Sequence, residues 1–260
     1  MARVKRTHNF DKSNESGSVG NLLLECLENT YHMNGKFEST KAGGTEDKNK
    51  KIDAYIYSQD EQGNEVKSSL QIKLDYQYPL SGSVALELAE MNFWGGRLCN
   101  ARDGNLLQPQ LMEVDYLIYM LPGLGIYFWN PRDLNRLTWY LLTNYIQEDE
   151  WLEVDNTFRL VVANNQEWLS INYLVPYHMI YEPNYFRTDY DWENKKWNGT
   201  NVPVGPKKII DWNEALSTAQ SNNPETYNLL TSLVIKYANN YGEYKRERIL
   251  KSWNLNPQQT

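Results

Sequence analysis

Two short alternating stretches constrain the chain most. They are Lys51-Ile-Asp-Ala-Tyr-Ile-Tyr57 and Leu70-Gln-Ile-Lys-Leu-Asp75, either side of Gln62-Gly63-Asn64. Strand side chains point to opposite faces in turn, so runs of this kind read as strands and the Gln-Gly-Asn segment as their turn. The spacing predicts strands over Ile52–Tyr57 and Ser69–Leu74. Gln71 and Lys73 then share one face, and a hairpin would bring Asp53 close to them.

The elements around this pair predict an α/β chain. Val19, Leu22, Leu23, Cys26, Leu27 and Tyr31 recur at helical spacing over 18–33, and Asn34-Gly35 supplies a stop. A short strand and a lysine-rich loop follow over 36–51. Val84–Leu88 reads as a third strand. Val114–Leu121 and Ile126–Trp129 read as a hairpin about Pro122-Gly123, a pair suited to a type II turn. Asn130 with Pro131 opens a helix. Phe158–Ala163 and Glu167–Val175 read as two more strands, 183–208 as a long loop, and 211–220 and the stretch after Asn223-Pro224 as helices. The expected organisation is a polar, flexible arm over 1–17, an α/β core over 18–150, and a mostly helical extension over 151–260 that can pack on the core as one unit.

Charge and composition narrow the function. With 33 acidic and 26 basic side chains the formal charge is −7. That excludes a protein coating nucleic acid by bulk charge, but not one with a local basic groove. Two cysteines, Cys26 and Cys99, are too few for a disulfide framework and lack metal-ligand spacing. The basic N-terminal stretch has no apolar core of a secretory signal. The longest apolar run, Tyr116–Trp129, is broken by Pro122, Gly123 and Gly125 and falls short of the ~20 residues of a membrane span. These features predict a cytoplasmic protein without a membrane partner. His8, His32 and His178 are dispersed, and neither GxxxxGK[ST] nor GxGxxG occurs, so no zinc site and no nucleotide cofactor are expected.

An aspartate facing Gln-x-Lys suits phosphodiester hydrolysis. A carboxylate and an amide oxygen can hold Mg²⁺, and a lysine beside the metal can orient or deprotonate water or offset developing charge. At Asp53 and Gln71-Ile-Lys73, preceded by Glu25 on the first helix, the sequence resembles the PD-(D/E)xK nuclease superfamily. Members include restriction enzymes, junction resolvases and phage or mobile-element nucleases. Glutamine replaces the usual acidic residue of the last motif, as in some branches.

That resemblance covers roughly residues 18–130. It implies a restriction-endonuclease-like mixed sheet flanked by helices, and a magnesium-dependent DNA endonuclease, with Mn²⁺ as a possible substitute. Asp53, Gln71 and Glu25 would hold the metal, with Lys73 as base or charge stabiliser. Glu28, Asp75 and Glu87 are second-rank sources of a further carboxylate. Lys41, Lys48, Lys50 and Lys51 would hold DNA phosphates. A homodimer is implied, because cutting both strands needs two sites. The rival expectation is a catalytically inactive DNA-binding or assembly protein on the same fold. Two further basic clusters, Lys195/Lys196/Lys207/Lys208 and Lys245/Arg246/Arg248/Lys251, read first as solvated faces.

Overall fold

The structure is a computed structural model. It describes residues 10–30, 33–40, 44–46, 50–76, 78–94, 97–103, 111, 113–135, 159–165, 168–176, 190–191, 196–197 and 207–257. Two compact units divide the chain. One contains Phe10–Ser81, Glu113–Trp129 and Lys207–Thr260; the other contains Gly82–Met112 and Asn130–Pro206.

The first unit is built on a six-stranded mixed sheet. It comprises β1 (Lys36–Ser39), β2 (Ala54–Gln59), β3 (Glu65–Leu74), β6 (Tyr116–Leu121), β7 (Gly125–Trp129) and β12 (Lys207–Asp211), in that spatial order. β1, β2 and β3 form an antiparallel meander, β6 runs parallel to β3, and β7 and β12 return antiparallel. The β6 sequence Leu-Ile-Tyr-Met-Leu is buried throughout, as expected of a strand covered on both faces. The Pro122-Gly123 link is the expected type II turn. Gly123 has φ +85°, and Leu124 N–H donates to the Leu121 carbonyl at 2.9 Å.

Among the described residues, five helices belong to this unit: α1 (Phe10–Cys26), α2 (Tyr78–Ser81), α3 (Trp212–Asn222), α4 (Pro224–Ala238) and α5 (Glu243–Ser252). Val19, Leu23, Leu24 and Cys26 form the buried stripe of α1, and with Leu27 just after it they join Leu70, Ile72, Ile118 and Met120 of the sheet in one core. A Cβ on Gly20 would lie 3.0 Å from the Ile72 side chain, so glycine sets how closely α1 approaches β3. Leu216, Leu230, Val234, Trp212 and Trp253 of the C-terminal helical segment enter the same core. Each such aliphatic residue contributes roughly 1.5–3 kcal/mol by burial. The C-terminal helices therefore pack in the unit that holds α1. As expected, Asn223 caps α4, its side chain accepting from Thr226 N–H.

Three local expectations change. α1 begins at Phe10, inside the stretch expected as a flexible arm, because a packed helix propagates into polar sequence at one hydrogen bond per residue. It stops at Cys26 rather than at Gly35, with Asn29 taking the left-handed conformation (φ +53°). Gly35 serves another need: a Cβ there would come within 2.6 Å of the Tyr57 carbonyl oxygen, so only glycine lets the chain enter β1. Finally, Lys207–Asp211 is a strand pairing with β7, where the sequence predicts loop at 207–208 and the start of a helix at 211.

The second unit holds a four-stranded antiparallel sheet, β5 (Arg97–Asp103), β4 (Ser83–Trp94), β9 (Trp168–Pro176) and β8 (Arg159–Asn165), in that order. It also holds the two-residue pair β10 (Tyr190–Asp191) and β11 (Lys196–Trp197). Residues 131–135 are helical, with Asn130 Oδ1 accepting from Arg132 N–H at 2.9 Å, as the Asn-Pro signal predicts. Among the described residues, no helix is long and apolar enough to cross a membrane.

Candidate functional site

Asp53 sits where the β2–β3 ladder breaks. The regular register ends at Ala54↔Leu70. Instead of the next rung, Asp53 N–H donates to the Leu70 carbonyl at 2.8 Å. Its carboxylate oxygen Oδ2 accepts from Ile72 N–H at 2.7 Å and from Gln71 Nε2 at 2.5 Å. The carboxylate thus supplies the acceptor that the interrupted ladder withholds from Ile72, since a buried N–H is rarely left unpaired. Gln71 is buried; Asp53 and Lys73 are half-buried.

Strand alternation separates two surfaces of β3. Leu70 and Ile72 turn to the α1 core, while Gln71 and Lys73 point to the other face. The structure therefore brings Asp53 and Gln71 into direct contact and puts Lys73 on the same side. Asp75 follows the strand end, and its N–H donates to the Met120 carbonyl at 3.0 Å. Continued alternation places it in line with Gln71 and Lys73.

The helix glutamates go elsewhere. At 100° per residue, Glu25 falls on the side of α1 opposite the buried stripe, and it is exposed. α1 itself covers the Leu70/Ile72 face, so Glu25 is not brought to Asp53. Its neighbour is Cys26, whose thiol is pushed up to about 11, mainly by burial and then by the Glu25 charge. Such a thiol is inert at neutral pH. Glu28 is used locally, Oε1 accepting from Phe37 N–H at 2.6 Å and fixing the start of β1. Glu87 lies on β4 in the other unit, next to a register irregularity between Glu87 and Ala89.

The basic residues sort similarly. Lys50 is exposed and Lys51 half-buried with φ +57°, two residues before Asp53. Lys41 and Lys48 lie outside the described residues. In the C-terminal cluster, Arg248 donates to the carbonyls of Pro79 and Leu80, and Arg246 to Asn239 Oδ1 and the Pro257 carbonyl. Lys251 pairs with Glu247, and Lys208 on β12 with Asp211. Those arginines hold α5 in place.

Residues that the sequence reading missed also crowd this end of the hairpin. Thr40 Oγ1 donates to the Ile52 and Asp53 carbonyls, and Glu46 Oε1 accepts from Tyr55 O–H at 2.7 Å. The glutamate raises the Tyr55 pKa through that bond. Further along the face, the Lys67 ammonium lies 3.7 Å from the Tyr55 ring centre and 5.2 Å from that of Tyr57. Period-two counting back from Lys73 through Gln71 and Ser69 reaches Lys67, so this cation was legible in principle. A cleft of about 610 Å³, lined among others by Asn29, Lys36, Glu38, Tyr57, Gln59 and Glu65, opens at the far end of the meander; Asp53, Gln71 and Lys73 do not line it.

Among the described residues, no group of three or more His, Cys, Asp or Glu gathers to hold a metal. The donor set at Asp53 is one carboxylate plus an amide whose nitrogen faces that carboxylate, leaving its oxygen as the remaining donor atom. Mg²⁺ takes hard oxygen ligands, commonly one or two carboxylates with several waters, so this set fits it. No protein-family model, no curated protein and no solved structure matches the chain.

Proposed function

We propose that the chain is a metal-dependent DNA endonuclease of the PD-(D/E)xK kind, acting at Asp53, Gln71 and Lys73. The observation that carries this reading is the Asp53 carboxylate lodged at the β2–β3 register break against the Gln71 amide, with Lys73 two residues further on the same strand face. The mixed sheet with α1 on one face agrees with the flanked mixed sheet that the resemblance implies.

Asp53 and the Gln71 amide oxygen would hold Mg²⁺ or Mn²⁺, and Asp75 is in line to add a carboxylate. The bound ion would supply Lewis-acid stabilisation of phosphate charge and an acidified water. Asp53 is anchored through backbone and side chain, so it presents its carboxylate without rearrangement. Lys73, on the same strand face as Gln71, would orient or deprotonate the attacking water, or offset charge on the phosphate. Lys50 and Lys51 approach Asp53 along the chain and would contact flanking phosphates. A homodimer would place two such sites on two strands.

Supercoiled plasmid with Mg²⁺ or Mn²⁺ tests the reading: wild type should nick or linearise it, and Lys73→Ala should not. One feature favours a second reading. The Gln71 amide hydrogen-bonds Asp53 where a second carboxylate would ordinarily share a metal, which suits an inactive DNA-binding protein on the same fold. Binding to DNA at low salt without cleavage under any divalent-metal condition supports that reading. Absence of DNA binding sinks both.

A further inference from the structure

Thr40 follows the end of β1, across from Asp53 just before β2. Its N–H donates to the Asp53 carbonyl at 2.8 Å, continuing the β1–β2 ladder one rung beyond Ser39↔Ala54. Its hydroxyl adds something no ladder requires, lying 2.8 Å from the Ile52 carbonyl and 2.9 Å from the Asp53 carbonyl. One hydroxyl proton is thereby shared between two consecutive carbonyls.

The same corner carries two other unusual features. Lys51 adopts φ +57°, a left-handed conformation that costs a β-carbon residue energy and persists where surrounding structure imposes it. Ile52 N–H, one residue before Asp53, donates to the Glu46 carbonyl at 3.2 Å. Asp53 is consequently fixed on all sides: N–H on Leu70, carbonyl on Thr40, carboxylate on Ile72 and Gln71. The β3 bonds fix the side-chain torsions, and the Thr40 bonds fix the backbone from which they start.

We propose that Thr40 is the positioning residue of the Asp53 site. From the β1 side it sets the backbone that aims the Asp53 carboxylate. The proposal rests on the metal-dependent reading of the site. Thr40→Val keeps the shape and the ladder N–H but removes the hydroxyl; Thr40→Ser restores the hydroxyl.

The test uses the full chain as wild type, Thr40→Val, Thr40→Ser and Asp53→Asn. Mn²⁺ binding is titrated calorimetrically, amide hydrogen exchange is followed at Ile72, and thermal unfolding is recorded. Asp53→Asn should abolish Mn²⁺ binding. Thr40→Val should weaken it about tenfold, the scale of losing a residue that orients a metal ligand, and speed exchange at Ile72 while β6 and β7 amides keep their protection. Thr40→Ser should recover both readouts. Wild-type affinity and exchange in Thr40→Val overturn the proposal alone, as does a Thr40→Ser variant no better than Thr40→Val. If wild type binds no Mn²⁺, or Asp53→Asn binds it equally well, the metal reading falls and takes the proposal with it.

Discussion

The β2–β3 hairpin carries an aspartate at each end, and the two are held by similar bonds in different surroundings. At the turn, the exposed Asp60 accepts from the N–H groups of Gln62 and Asn64 and from the Asn64 amide, all within four residues of itself. These bonds, the Asn64 side chain foremost, hold its carboxyl below the usual range. At the open end, Asp53 accepts from Gln71 and Ile72, 18 and 19 residues away, at a break in the ladder. The carboxylate with purely local donors closes a turn. One held across two strands, with a lysine on the same strand face as its glutamine partner, has its position set by the sheet and can serve chemistry that depends on position.

Asp53→Asn should break the comparison most sharply if it is mistaken. The asparagine oxygen can still accept from Ile72, so circular dichroism should report a folded chain while cleavage and metal binding disappear; Asp60→Asn should leave both at wild-type level. Equal losses from the two variants would mean the ends are not functionally distinct. Lys73→Ala should lower the cleavage rate by about 10²–10⁴-fold, the range for a positioned proton-transfer group, with DNA affinity nearly unchanged. A matching fall in affinity would make Lys73 a phosphate contact only.

Gln71→Ala removes a donor to a partly buried carboxylate, which should lower stability in urea by about 1 kcal/mol and weaken Mn²⁺ binding. Unchanged metal affinity would remove Gln71 from the ligand set. The smallest effect concerns pH at the turn. A carboxyl whose folded pKa is lowered adds stability above its unfolded value near 4, lost as pH falls through the folded value. Asp60→Asn should abolish that part of the acid limb of the stability profile and leave neutral pH almost unaffected. An unaltered acid limb would show that the turn bonds do not persist in solution.

Local chemistry was legible residue by residue. The Pro122-Gly123 turn, the Asn130 and Asn223 caps, the α1 stripe and the alternation in β2 and β3 all depend on contacts within a few positions. The contact between Asp53 and Gln71 was legible too, because a hairpin needs only one turn to form. Glu25 was not, since helical spacing says which residues share a face but not which face of which sheet they meet. Thr40 and Glu46 left no signal, being ordinary loop residues until the meander folds over them.

Sequence alone determined that this chain is a mixed α/β protein, that Gln71 and Lys73 share a strand face, and that Asp53 opens the neighbouring strand. Period and turn chemistry are short-range, and they are written in consecutive residues. Tertiary structure decided the rest. It set β6 parallel to β3, where Ser69 N–H and hydroxyl both meet the Asp115 carboxylate across 46 residues. It packed the C-terminal helices into the α1 core, and it turned Glu25 away from Asp53. Such pairings follow from which apolar faces can be buried together, and many sequences with the same local signals could bury them differently.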